Sequence, residues 1–247
     1  MKQVGLIGYG RFGRMVYRYL KEVTDLRVYD SDREAVAALP EAVGLEQAAA
    51  SEILIFSVPI SEMESVCREV LPFVREGQVL IDTCSVKKKP LELMERMFST
   101  GVQILGTHPL FGPDSGQEGI AGFKIVVCPV RVRDEAYREI TGFLHDLDLL
   151  VVEVTPEEHD RQIAQTQAIF HLIAQAMKDL GWGVKAISTP GPDTFYRLVK
   201  TVQQDTSQLF EDMARQNPFA AEYRKKFMQT LEELDSQLRL GDKGRDV

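Results

Sequence analysis

Seven short stretches of the chain are apolar with little alternation: 3–8 (QVGLIG), 26–30 (LRVYD), 53–58 (ILIFSV), 78–83 (QVLIDT), 102–106 (VQILG), 124–130 (KIVVCPV) and 149–154 (LLVVEV). Each has the length of a strand, and a strand without polar alternation is one buried on both faces. Between them the spacing turns helical. Phe12, Val16, Tyr19 and Leu20 follow the first stretch at helical steps. Further helices are predicted near 32–39, 61–71, 89–98 and 133–146. Strands of this kind alternating with helices predict a parallel sheet covered on both sides.

The pattern changes after Thr155. Thr155-Pro156-Glu157-Glu158 reads as a helix start, with an N-cap hydroxyl, a proline in the first turn and a glutamate at the third helical position. From there to about Leu240 the spacing is helical, and no strand is predicted. Ile163, Phe170, Ile173, Met177 and Leu180 form one apolar stripe; Phe219, Tyr223, Phe227, Leu231, Leu234 and Leu238 form another. Breaks are expected at Gly181–Gly183, at 188–193 (STPGPD) and at Asn217-Pro218. The polar tail 241–247 is expected to fray. These features divide the chain into an α/β domain over 1–154 and an all-helical domain over 155–247.

Composition narrows the function classes. The 247 residues carry a formal net charge of -8, which argues against a nucleic-acid surface. An anionic substrate must therefore be met by locally placed basic groups. Cys67, Cys84 and Cys128 show no metal-like or CxxC spacing, so they are expected to be reduced thiols of a cytoplasmic protein. No uncharged run reaches the ~20 residues of a membrane span, and the start of the chain does not read as a secretory signal.

Gly8-Tyr9-Gly10-Arg11-Phe12-Gly13 is a GxGxxG that leaves a predicted strand and opens a predicted helix. The first glycine permits the tight turn, the second lets backbone approach a pyrophosphate, and the third lets helix pack on strand. The helix N-terminus supplies unpaired N–H groups for the phosphates. Asp30 ends the second strand, where its carboxylate would accept from a ribose 2′-OH. A 2′-phosphate would meet that negative charge, so NAD is expected rather than NADP; Arg33 is the nearby group able to reverse the preference. Ser57 and Pro59, at the end of the third strand, are expected along the cofactor with Arg11 and Phe12. The fold expected is thus α/β, a Rossmann-type dinucleotide-binding domain followed by a helical one.

In an open parallel sheet ligands sit at the carboxyl ends of the strands. Asp82-Thr83-Cys84-Ser85-Val86-Lys87 follows the fourth strand, and Gly106-Thr107-His108-Pro109 follows the fifth. Ser85 and His108 are expected there, with His108 on a loop stiffened by Pro109 and the glycines beyond it. In the helical half, Asp160, Ala164, Gln167, His171 and Lys178 share a face by spacing, and Arg197 stands among apolar neighbours.

GYGRFG, SVP (57–59), DTCSVK (82–87), THPLFGPDSG (107–116), the EHD of 158–160 with QAIFH (167–171), and FYR (195–197) together resemble the prephenate and arogenate dehydrogenases of tyrosine biosynthesis, over nearly the whole chain. The resemblance implies His108 as the catalytic histidine that hydrogen-bonds the ring hydroxyl of the substrate, and Ser85 as the serine orienting both. It implies His171 and Gln167 in the substrate pocket, Arg197 on a substrate carboxylate, and a homodimer through the C-terminal helices. Cys128 falls near the place where plant arogenate enzymes carry an acid, which inclines the reading to prephenate. Arogenate dehydrogenase and a non-catalytic NAD-binding sensor of the same fold are the alternatives.

Overall fold

The computed structural model describes residues 2–202 and 205–242; of the expected frayed tail, 243–247 lie outside the described residues. The chain divides into two compact units, Met1–His159 and Asp160–Val247. The division falls inside a helix, a few residues past the strand end that the sequence marks.

In the first unit, strands β1 (Gln3–Ile7), β2 (Asp25–Tyr29), β3 (Ile53–Phe56), β4 (Val79–Asp82), β5 (Gln103–Pro109), β6 (Lys124–Arg131) and β7 (Leu150–Glu153) form one sheet in the order β2-β1-β3-β4-β5-β6-β7. The first five are parallel, as expected. β6 runs antiparallel to β5, and β7 runs parallel to β6, so the sheet is mixed. The reason lies in the connection. No helix is described between β5 and β6, and a neighbour reached without a crossover helix returns antiparallel.

That pairing also corrects the reading of His108. The expected strand ended at Gly106, but β6 supplies partners beyond it: Gly106 opposes Cys128, Thr107 opposes Val127, His108 opposes Val126 and Pro109 opposes Ile125. His108 is therefore held by a sheet ladder, not by a proline-stiffened loop. Cys128, opposite Gly106 in this pairing, is fully buried in the hydrophobic core.

Helices cover both faces of the sheet. α3 (Leu45–Ala49), α4 (Met63–Val70) and α5 (Lys88–Met97) pack on one face through Ala48, Met63, Cys67, Leu91 and Met94, against Leu54, Phe56, Leu80 and Ile104. On the other face, Leu20 of α1 (Arg11–Leu20) packs with Leu6 and Val28, and Ile140 of α6 (Asp134–Asp146) with Ile81 and Leu105. The helix expected over 32–39 shrinks to one turn, α2 (Arg33–Val36), started by Asp32, whose side chain accepts from the N–H groups of Glu34 and Ala35. The chain then returns to bridge Val28 at Ala42, and the short α3 was not anticipated.

The expected first C-terminal helix is two. α7 (Pro156–Gln165) ends at Thr166, whose φ of -112° and ψ of -85° interrupt it, and α8 (Gln167–Asp179) resumes. Thr166 Oγ1 donates back to the carbonyl of Gln162 at 2.8 Å, the kind of hydroxyl bond that bends helices. α9 (Pro190–Val202) begins inside the break expected over 188–193, with proline at its first position, where a missing N–H costs nothing. α10 (Ser207–Gln216) and α11 (Ala220–Asp242) follow. Val199 and Met213 are buried within this unit, but Leu180, Leu231, Leu234 and Leu238 are exposed. The far ends of both predicted stripes are thus uncovered in the single chain. Among the described residues no helix is long and apolar enough to cross a membrane.

Candidate active site

The order β2-β1-β3 puts a topological switch point between β1 and β3, where a crevice opens at the strand ends. The glycine-rich turn lies there. Gly8 has φ +98°, and a Cβ on it would fall 2.2 Å from the carbonyl oxygen of Ser57; only glycine fits. A Cβ on Gly13 would fall 2.1 Å from the carbonyl oxygen of Gly8, so α1 packs against the turn as closely as the motif predicts. At Gly10 a Cβ would meet nothing within 4 Å. That open cradle faces the start of α1, which has no side-chain cap and no acid in its first turn. Its leading N–H groups are thus available to a phosphate.

The neighbours of the cradle fit a dinucleotide. Ser57 Oγ is buried without a hydrogen-bond partner, an orphan that a bound hydroxyl or amide would satisfy. Asp30 accepts from the N–H of Tyr9 at 2.6 Å and of Asp32 at 2.8 Å. These bonds fix the carboxylate against the glycine turn, and an ionised carboxylate has about four acceptor sites, enough to serve a ribose diol as well. Arg33 stacks on the Tyr29 ring at 4.6 Å and donates to the carbonyl of Val43. Arg11 Nη2 donates to both oxygens of Asp114, at 2.7 and 2.8 Å. Phe12 is half-buried, and Pro59 is exposed at the start of a short 3-10 turn.

Beyond β4 and β5 the sequence left the central feature unremarked. Lys87 and Asp82 are both fully buried and paired. Lys87 Nζ donates to Asp82 Oδ1 at 2.6 Å, to Oδ2 at 2.5 Å and to the carbonyl of Thr107 at 2.6 Å. Asp82 also accepts from the N–H of Cys84, and its carbonyl accepts from Thr107 Oγ1. The pair therefore ties the segment carrying Ser85 to the strand carrying His108. The signal was an acid and a lysine five residues apart in DTCSVK, at a strand end. Ser85 Oγ is buried with no partner; the expected bond from Ser85 to His108 is not formed.

His108 is 4% exposed, and its Nδ1 lies 2.8 Å from Nε2 of His159, itself 3% exposed. His159 comes from the first turn of α7, where Thr155 Oγ1 accepts from the N–H of Glu158 and the N–H of His159 bonds the carbonyl of Thr155. His159 belongs to the EHD of 158–160, whose spacing alone assigns it no role. Burial first, then the facing His159 and the Lys87 ammonium, hold His108 well below the usual histidine range. It is a neutral imidazole at physiological pH.

In the second unit, His171 is buried on α8 and pushed down to about 4 by desolvation, with its Nε2 3.9 Å from Asp205. Gln167 is half-buried at the start of α8. Arg197 is exposed on α9 rather than enclosed by its apolar neighbours; Nη2 donates to Thr194 Oγ1 at 3.1 Å. Among the described residues no carboxylate forms an ion pair with it. His171 also lines a small cavity of about 20 Å³ with Lys178, Asp205 and Phe210. No cluster of potential metal ligands occurs among the described residues.

Residues 18–148, just over half of the chain, match the family described as prephenate dehydrogenase, nucleotide-binding domain. Residues 176–245 match a second, described as TYRAAT1-like, C-terminal domain. A probable arogenate/prephenate dehydrogenase of Methanocaldococcus jannaschii is 26% identical over 208 residues, 81% of this chain and 46% of the relative. Arogenate dehydrogenase 2, chloroplastic, of Arabidopsis thaliana is 29% identical over 194 residues, 76% of this chain and 54% of the relative. The chain thus spans about half the length of these curated relatives. In fold it is similar to the prephenate dehydrogenase of A. aeolicus solved with hydroxyphenyl propionate and NAD+, with a TM-score of 0.78 at 17% identity, covering 98% of this chain and 92% of that one. It is likewise similar to the arogenate dehydrogenase of Synechocystis, with a TM-score of 0.70 at 18% identity, covering 97% and 93%.

Proposed function

The chain belongs to the prephenate dehydrogenase nucleotide-binding family, and from that premise we propose that it is an NAD-dependent dehydrogenase that oxidatively decarboxylates prephenate to 4-hydroxyphenylpyruvate. The observation that carries the reading is His108: a buried, neutral imidazole at the end of β5 with one ring nitrogen already engaged, in the sheet whose β1–β3 crevice holds the glycine cradle.

NAD would be held at Gly8, Gly10 and Gly13 with Asp30 toward its ribose, and would supply a hydride acceptor. Everything else falls to the chain. His108 takes the proton of the ring hydroxyl at Nε2, which requires it to be neutral, and burial keeps it so. Ser85 Oγ, buried without a partner, is suited to bond the same hydroxyl and so fix its direction. Departure of the ring carboxylate as carbon dioxide leaves an aromatic ring, which makes the step effectively irreversible. A guanidinium forms a two-pronged bond to a carboxylate, and among the described residues Arg197 has no carboxylate partner of its own to release. Gln167 and His171 complete the proposed substrate set.

Arogenate, which bears an ammonium where prephenate has a keto oxygen, is the second reading, because relatives named for each substrate are among the matches. An ammonium calls for an acid beside the carboxylate anchor. A homodimer goes with the reading, supported by the uncovered Met228, Leu231, Leu234 and Leu238 of α11. A cytoplasmic location goes with it too, since the three cysteines are buried and none is in a disulfide. The test is purified protein with NAD and either prephenate or arogenate, following reduced nicotinamide. Faster turnover of prephenate supports the proposal, turnover of arogenate alone replaces it by the second reading, and no reduction with either refutes both.

A further inference from the structure

Two buried imidazoles in direct contact constrain each other's protons. The His108 Nδ1 to His159 Nε2 separation of 2.8 Å is a hydrogen-bond distance, with ring planes at 71° and centroids 5.0 Å apart. One proton fits in that gap. If it is on His108 Nδ1, then His108 Nε2 is a bare lone pair and the residue is a base. If it is on His159 Nε2, then His108 carries its own proton on Nε2 and presents a donor, which cannot accept a proton from a hydroxyl. Protons on both would set two N–H groups against each other. In a histidine the bond made by one nitrogen decides which form the other takes.

We infer that His159 is a positioning residue: its Nε2 accepts from His108 Nδ1–H and so holds His108 in the tautomer with a free Nε2. The inference rests on the reading of His108 as the base and deepens it. His159 suits the task because its backbone is anchored. It lies in the first turn of α7, where Thr155 both caps the helix through Oγ1 and receives the His159 N–H. Both rings are at most 4% exposed, so water does not compete for the contact.

The choice of an imidazole over a carboxylate has a consequence. A carboxylate behind His108 would orient it equally well but would stabilise the imidazolium and raise the pH at which the base becomes charged. A neutral imidazole orients without that attraction. The charges bearing on His108 are consistent with this design. Lys87 reaches the Thr107 carbonyl next to it, with Asp82 as counter-ion; His159 faces it from α7; β6 presents Val126 opposite. Burial, His159 and Lys87 all act to keep the ring uncharged.

The inference is tested on the whole chain in two ways. With histidines labelled with nitrogen-15 and no substrate present, proton–nitrogen correlation spectra at neutral pH should show His108 protonated on Nδ1 and bare on Nε2. A His108 protonated on Nε2 overturns the inference. In turnover, His159→Gln keeps a carbonyl oxygen close to the position of Nε2, while His159→Leu keeps none. His159→Leu should lower kcat about 10²-fold or more, as loss of a tautomer-setting partner does elsewhere, with little change in KM. His159→Gln should restore kcat to within about tenfold. Removing the His159 ring also removes one cause of His108's depressed pKa, so the acid limb of kcat/KM in His159→Gln should move to higher pH. A residue that merely packs would leave the limb in place. Equal, near-normal kcat in both variants with an unmoved limb overturns the inference. If wild-type protein reduces no NAD with prephenate or arogenate, it is the base reading that fails; the spectra still decide the tautomer.

Discussion

Lys87 should be among the most costly residues in the α/β unit to replace. It occupies the N-cap position of α5, the end of the helix dipole that disfavours a cation, and it is fully buried. Three bonds offset both penalties, two to Asp82 and one to the Thr107 carbonyl. In Lys87→Met the methylene stem is kept and the ammonium is lost. Asp82 retains the Cys84 N–H but stays wholly buried with no counter-ion, and breaking a buried pair from one side costs about 3–5 kcal/mol. In a unit of this size that corresponds to a fall in Tm of roughly 6–20 °C. Urea unfolding followed by circular dichroism, with calorimetry beside it, measures the loss. Replacing both partners removes the stranded charge, so Asp82→Leu with Lys87→Met should recover most of the stability. A cost below about 1 kcal/mol for Lys87→Met, or a double variant less stable than the single, would refute the reasoning, because each implies that water or another group compensates the pair.

Other outcomes follow from the same geometry. Arg197→Ala should raise KM for prephenate roughly 10- to 100-fold, the worth of a charged hydrogen bond, with a smaller change in kcat and an unchanged Tm, since Arg197 is exposed and, among the described residues, bonds only Thr194; an unchanged KM would remove it from the site. Asp30→Asn should lower the ratio of kcat/KM for NAD over NADP by about tenfold, the loss of one charged acceptor; a wild-type enzyme that favours NADP would contradict the role of Asp30 and point to Arg33. His171 has its pKa lowered by burial from 6.5 to about 4. The unfolded chain therefore holds a proton there in a window where the folded chain does not, and the stabilisation present above about pH 6.5 is lost as pH falls toward 4, roughly 3 kcal/mol in all. Unfolding titrations of His171→Gln should show a shallower loss over that window than wild type; parallel curves would mean that His171 is not buried neutral.

The parts of the site set by local backbone were readable from the chain. Gly8 and Gly13 of Gly8-x-Gly10-x-x-Gly13 stand where a Cβ would clash with neighbouring backbone, as the turn and the helix packing expected from their spacing require, and at Gly10 a Cβ would meet nothing within 4 Å. Asp30 stands at the strand end for the same local reason. The supports of the chemistry were not readable, because they come from distant elements. β5 runs on through His108 only because β6, arriving after a helix-free connection, pairs with it. His159 meets His108 across 51 residues of sequence, and no periodicity encodes that contact. The stripe of α11 was correctly helical, yet its spacing says nothing of what covers Leu231, Leu234 and Leu238, which are exposed among the described residues.

The central claim is that His108 is the base of an oxidative decarboxylation, and the most direct measurement follows reduced nicotinamide and carbon dioxide together, with prephenate, in wild type and His108→Asn. The account predicts equal amounts of the two products from wild type, and in His108→Asn a kcat lower by roughly 10² to 10⁴, the usual worth of a positioned acid–base group, with NAD binding retained. Reduction of NAD without release of carbon dioxide, or near-normal turnover by His108→Asn, would contradict it.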